Sequence, residues 1–160
     1  MQSIELERYL HDHIPLTRAM AVTVVSIDAS GVSLGAPLAP NINHRETVFG
    51  GSAAALAILA GWALLHVRLR AAERGVRLVI QRNTMEYVRP IAGDFTARSV
   101  LVAESHWNRF TATLERHGRA RISVLAHLAQ GGEIVGQFSG EFVALAPSRL
   151  AGPAPGATPD

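Results

Sequence analysis

Between Asn41 and Ser52 the chain collects most of the side chains that could do chemistry. Asn41, Asn43, His44 and Glu46 lie in one polar run, followed by Phe49-Gly50-Gly51-Ser52. A histidine with an ordinary pKa of about 6.5 is suited to taking a proton from water, and a carboxylate within reach can do the same work. Gly50 and Gly51 carry no Cβ, so a ligand oxygen can come close to their backbone. The stretch that follows, Ala53 to Leu65, is uncharged and rich in Ala and Leu, which predicts a helix. A helix starting here would turn unpaired N–H groups and the positive end of its dipole toward the polar loop. Each residue also has a plainer use. Asn41 and Asn43 suit turns, Gly50-Gly51 eases a loop into a helix, Ser52 suits a helix cap, and His44 and Glu46 suit a solvated loop.

Other candidates are more scattered. Glu86 sits in the middle of a strand-like run, where a charge either lines a cleft or pairs with Arg82 or Arg89. Trp62 on the apolar helix is a core residue or the floor of a ligand tunnel, while Trp107 and Phe110 read as packing. Arg119 and Arg121 read as a solvated strand face that could also meet phosphates. Ser52 with His44 does not make a nucleophile elbow, because the pattern is Gly-Gly-Ser and not G-x-S-x-G. The seven histidines show no metal-ligand spacing, so no metal is expected. With no cysteine, disulfides, thiolate metal sites and cysteine nucleophiles are excluded.

The totals set the class. In 160 residues, 48% are hydrophobic and 18% charged, which suits one globular domain. The net charge is +2 and the arginines are dispersed, against a nucleic-acid surface. The uncharged helical run stops at His66, Arg68 and Arg70, short of the roughly 18–20 residues a membrane span needs. The N-terminus lacks a signal-peptide pattern, so a cytoplasmic location is expected.

These residues need elements to position them. Ile4–His13 reads as an amphipathic helix capped by Ser3 and ended by Pro15. Ala19–Ile27 and Val32–Leu38 read as strands joined at Asp28–Gly31. The apolar helix follows, with Gly75 as its stop. Arg77–Arg89 reads as a long strand whose broken alternation predicts a bulge. Phe95–Ala103 is a strand, and Ser105–Arg116 a helix with Trp107, Phe110 and Leu114 on one face. In Arg119–Ala129, the residues Ala120, Ile122, Val124, Ala126 and Leu128 alternate cleanly with polar ones. A Gly131-Gly132 hairpin leads to Ile134–Leu145, with Ile134, Phe138 and Phe142 on one face. Residues 1–146 form one domain, and 147–160 a Pro/Gly/Ala-rich tail expected to be mobile. The sum is an α+β fold in which about six antiparallel strands curl around one buried helix. Arg77–Arg89 is expected at an open edge, where pairing with a second copy would cover it.

This order, with an Asn-containing loop running into Gly-Gly at the helix start, resembles the hotdog fold of acyl-CoA thioesterases. More narrowly, three segments are similar to a family of thioesterase-like domains found alone or C-terminal to an acetyltransferase. They are Leu38-Ala39-Pro40-Asn41-Ile42-Asn43-His44, Thr47-Val48-Phe49-Gly50-Gly51-Ser52 and Leu59-Ala60-Gly61-Trp62. Met85-Glu86-Tyr87-Val88-Arg89-Pro90 resembles the strand after the helix in hotdog thioesterases. The resemblance implies an acyl thioester hydrolase, without a cofactor, acting on coenzyme A or acyl carrier protein derivatives as a homodimer or dimer of dimers. It implies that Gly50 and Gly51 amides polarise the thioester carbonyl and that Asn43 positions water or that carbonyl. Phe49, Ser52, Trp62, Glu86 and Arg89 complete the substrate-contacting set.

The chain departs from the hotdog thioesterases resembling phenylacetyl-CoA thioesterases at two positions. Phe49 stands where they carry His, and Ile58 where they carry a general-base carboxylate. Glu46 or His44 must then activate water. The missing carboxylate also leaves open a non-catalytic acyl-thioester binder, and the same fold hosts enoyl-thioester hydratases and dehydratases, whose usual His and acid pair the bare helix lacks.

Overall fold

The computed structural model describes residues 1–71 and 75–147, so the expected tail, beyond Pro147, lies outside the described residues. The helices are α1 (Ser3–His13), α2 (Pro15–Ala19), α3 (Gly50–Ala71) and α4 (Glu104–His117). The strands are β1 (Thr23–Ile27), β2 (Gly31–Ala36), β3 (Arg77–Tyr87), β4 (Phe95–Leu101), β5 (Arg119–Gln130) and β6 (Glu133–Leu145). A 3-10 turn, Ala39–Asn41, precedes the loop to α3.

The strands form one antiparallel sheet in the order β1-β2-β4-β5-β6-β3. It curves around α3, which packs against β2 to β6. Leu56, Ala57, Ala60 and Leu65 of α3 are fully buried, as are Leu34, Val124, Leu128 and Phe142 of the sheet. The approach is closest at Gly61, where a Cβ would lie 3.0 Å from Val124 and 3.1 Å from Phe142. Truncating Leu56 to Ala in such a core costs about 2–5 kcal/mol. By length and composition α3 could cross a membrane, yet most of it is enclosed by the sheet. Enclosure is not complete: Ala55, Ile58, Trp62 and His66, one turn apart, form a half-buried strip.

Several expected boundaries move. Gln2, not Ser3, precedes α1, and its backbone N–H donates to Glu5 Oε2 at 2.9 Å. Pro15 ends α1 but opens α2, because the first helical position needs no N–H donor. This claims Ala19 for a helix, and β1 starts only at Thr23. Helix α3 starts at Gly50, three residues before the Ala-rich run, so Ser52 lies inside the first turn instead of capping it. The expected stop at Gly75 adjoins residues 72–74, which are outside the described residues.

Two irregularities interrupt the sheet, one in the β3–β6 ladder and one in the β5–β6 ladder. In β3 the register shifts between Ile80 and Arg82, leaving Gln81 as the extra residue of the expected bulge. Leu78 and Ile80 pair with Ala144 and Phe142, and beyond the shift Met85 and Tyr87 pair with Phe138 and Gly136. Met85 and Tyr87 therefore share the inner face, while Glu86, opposite Gln137, points to the outer one. A second shift lies at Val135, because Ala129 pairs with Ile134 and Leu128 with Gly136. It separates the exposed Ile134 from buried Phe138 and Phe142, correcting the single face expected for the three.

Candidate active site

The loop before α3 is a small closed structure. Ile42 and Val48 form an isolated bridge, and Asn43 N donates to Thr47 O at 2.8 Å. Asn43 fills the loop with its side chain. Its Oδ1 accepts from Arg45 N at 2.8 Å and Thr47 N at 3.3 Å; its Nδ2 donates to Thr47 Oγ1 at 3.0 Å and Val48 O at 3.4 Å. His44 and Glu46 are left at the exposed tip, with Arg45 Nε donating to His44 Nε2 at 3.3 Å. Glu46 has φ +61°, a left-handed conformation unusual for a residue with a Cβ.

Asn41 anchors the loop from below. It is 2% exposed, and its Nδ2 donates to Met20 O at 3.0 Å and Pro37 O at 2.8 Å. The backbone then closes on α3: Val48 N donates to Ile91 O and Phe49 N to Asn41 O, both at 2.8 Å. The first helical bond runs from Ala53 N to Phe49 O at 3.1 Å. Gly50, Gly51 and Ser52 thus carry the orphan N–H groups of the first turn, with no backbone acceptor among the described residues.

Two aromatic rings frame these amides. Phe49 is 58% exposed and lies so close over Gly51 that a Cβ there would overlap its ring. Tyr87, from the end of β3, packs against Gly50 and donates its hydroxyl to Gly50 O at 2.9 Å. Val88, next to Tyr87 in the chain, and Ile42, bridged to Val48, add exposed apolar surface.

The structure thus brings Asn43, His44, Glu46, Phe49, Gly50, Gly51 and Ser52 into one loop and helix start. It does not bring in the rest. Trp62 sits eleven residues beyond Gly51, roughly 17 Å along the helix at about 1.5 Å per residue. Its Nε1 donates to Leu78 O at 3.3 Å, and its ring stacks on His66, the centroids 4.5 Å apart. Glu86 points to the opposite face of the sheet from α3. The ion pairs foreseen for it form elsewhere: Arg82 lies 3.6 Å from Glu141, and Arg89 2.9 Å from Glu133. Tyr87, absent from the residues the sequence singles out, reaches the helix start through its hydroxyl. Its signal was the bulge, which reverses the alternation and exchanges Tyr87 for Glu86 on the inner face.

Two further clusters lie apart from this loop. Tyr9 and His13 of α1 meet Trp62 and His66 of α3 in a stacked group, Tyr9 to His66 at 4.6 Å. Burial, then the neighbouring charges of Arg70 and His13, push His66 down to about 4. A hollow of about 620 Å³, lined by Thr23, Gly35, Asp94, Thr96 and Ala129, contains none of the expected site residues.

The curved sheet, the enclosed helix and the amide-bearing helix start together define the hotdog class. Residues 3–146 match the model of the family described as "Putative thioesterase (yiiD_Cterm)", and the chain belongs to that family. A protein of unknown function from Chlorobaculum tepidum is 28% identical with a TM-score of 0.84, covering 90% of this chain and 94% of its own. A "putative thioesterase" from Shewanella oneidensis is 24% identical with a TM-score of 0.81, covering 89% and 96%. A thioesterase from Haemophilus influenzae shares the fold at 13% identity, with a TM-score of 0.72 over 91% and 92% of the two chains. The function is thioesterase-like.

Proposed function

We propose that this chain hydrolyses an acyl thioester carried on coenzyme A or acyl carrier protein. The observation that carries the reading is the row of unpaired N–H groups at Gly50, Gly51 and Ser52, at the tip of an apolar helix in a thioesterase family. Such donors stabilise the negative charge that gathers on the carbonyl oxygen as water attacks it. Glu46 or His44 at the loop tip takes the proton of that water. Asn43 acts by holding the loop in shape, since its polar atoms are engaged there. The acyl chain runs along the half-buried strip of Ala55, Ile58 and Trp62, with Phe49 at its entrance. Arg89 and Glu86, away from the carbonyl, are left for the carrier.

The working unit in this reading is a dimer or a dimer of dimers. β3 is an end strand of the sheet, and Val79, Tyr87 and Val88 on and beside it are exposed. Isologous pairing with a second β3 would cover that edge.

The test is thiol release from a panel of acyl-CoAs, with Asn43→Ala and Glu46→Ala measured beside the wild type. Turnover that falls in either variant supports the assignment, and wild-type rates in both overturn it. A second reading, an acyl-thioester binder without turnover, is favoured by the apolar Ile58 on a helix with no carboxylate from Gly50 to Ala71. Thermal stabilisation by acyl-CoA in the absence of thiol release would select it.

A further inference from the structure

We infer that Tyr87 is a positioning residue that sharpens the Gly51 amide as a hydrogen-bond donor to the substrate oxygen. This rests on the hydrolase reading above and deepens it. One peptide unit links the two glycines, with Gly50 O at one end and Gly51 N–H at the other. The Tyr87 hydroxyl donates to that oxygen at 2.9 Å, and the ring lies 3.5 Å from where a Gly50 Cβ would be.

Two consequences follow. The contact fixes the plane of the Gly50–Gly51 peptide, and with it the direction of the Gly51 N–H. A hydrogen bond accepted by an amide oxygen also draws electron density from the amide nitrogen, making its N–H the stronger donor; such cooperativity is worth about 10–30% per bond. The Ala53 N–H that donates to Phe49 O supports the Gly50 amide through the helical ladder. Only Gly50 O receives a side-chain donor, and none to Phe49 O or Gly51 O is found among the described residues. Gly51 is therefore the amide whose peptide is held from outside the helix.

The bulge at Gln81 makes the contact possible. Without the extra residue, the alternation of β3 would carry Tyr87 to the outer face and leave Glu86 toward α3. Bulges commonly re-aim side chains in this way beside active sites.

The experiment compares wild type with Tyr87→Phe and with a series of ring-fluorinated tyrosines at position 87, assayed below the pKa of each phenol. Tyr87→Phe is expected to lower kcat about three- to tenfold with KM little changed, the loss of one hydrogen bond made most use of in the transition state. Across the fluorinated series, kcat should rise as the hydroxyl becomes a stronger donor while melting temperatures stay level. Equal kcat in Tyr87→Phe, or rates that follow only the melting temperature, would overturn the inference. The Gly51 amide proton shift provides a readout independent of turnover. It should lie downfield in the wild type and move upfield in Tyr87→Phe; an unmoved shift refutes the polarisation. A wild type that releases no thiol but shows this shift would count against the hydrolase reading and leave the polarisation standing.

Discussion

The carboxylate of Glu7, on α1, accepts a hydrogen bond from the backbone N–H of Val24, on β1, at 2.8 Å. His11, one turn further along α1, contacts Val22 O at 2.8 Å. Two helical side chains thus occupy polar groups that an end strand would otherwise present to other chains. Glu7→Ala should cost about 1.5–3 kcal/mol, as expected for a hydrogen bond to a charged group, and should raise aggregation by exposing the strand. Thermal melts and turbidity would check this; an unchanged melting temperature would show that Glu7 contributes nothing to closing the edge.

The opposite edge, β3, has one such contact among the described residues, from Trp62 Nε1 to Leu78 O. Eleven residues, Arg77–Tyr87, bond to β6 on one side only. Sedimentation should accordingly find a species of at least twice the 17.1 kDa chain mass, with β3 amides protected from hydrogen exchange. A monomer with freely exchanging β3 amides would remove the shared-edge dimer.

His66 gives a pH prediction with a definite sign. Its folded pKa, about 4, lies below the ordinary 6.5 because burial, then Arg70 and His13, disfavour the charged ring. Between these values the unfolded chain takes up a proton that the folded chain refuses, so stability falls as pH drops from 6.5 toward 4. His66→Phe, which keeps the stack with Tyr9 and Trp62, should flatten that part of the curve. Melting temperatures from pH 4 to 7 for both proteins test it, and parallel curves would refute it.

Glu46 separates stability from activity. With φ at +61°, its backbone strain is relieved by glycine, so Glu46→Gly should stabilise the fold by about 0.5–1 kcal/mol. If its carboxylate is the base, thiol release should fall about 10²–10⁴-fold in the same protein. His44→Ala is the companion measurement, since one of the two variants must show the loss. Full activity in both would leave the water without an activating group in this loop.

Much of the fold was legible because few side chains decide it. The alternation from Ala120 to Leu128 and the uncharged run after Ser52 each permit one kind of element. The errors lie where a single residue shifts a period. Val135 as an unpaired residue takes Ile134 out of the face of Phe138, and no local propensity marks it. Helix α3 starts earlier than helix propensity implies, because glycine, a poor helix former, is tolerated in the first turn where Phe49 O begins the ladder. Within the site, the loop and the glycines could be read from residue types. The donor from β3 could not, because it depends on which side of a bulge Tyr87 falls.

In the proposed hydrolysis the amides opening α3 receive the acyl oxygen, and a crystal structure with a non-hydrolysable acyl-CoA analogue bound is the decisive measurement. The acyl oxygen is expected at about 2.7–3.1 Å from the backbone nitrogen of Gly50 or Gly51. An analogue bound with its acyl oxygen held elsewhere, and both glycine amides facing only solvent, would contradict it.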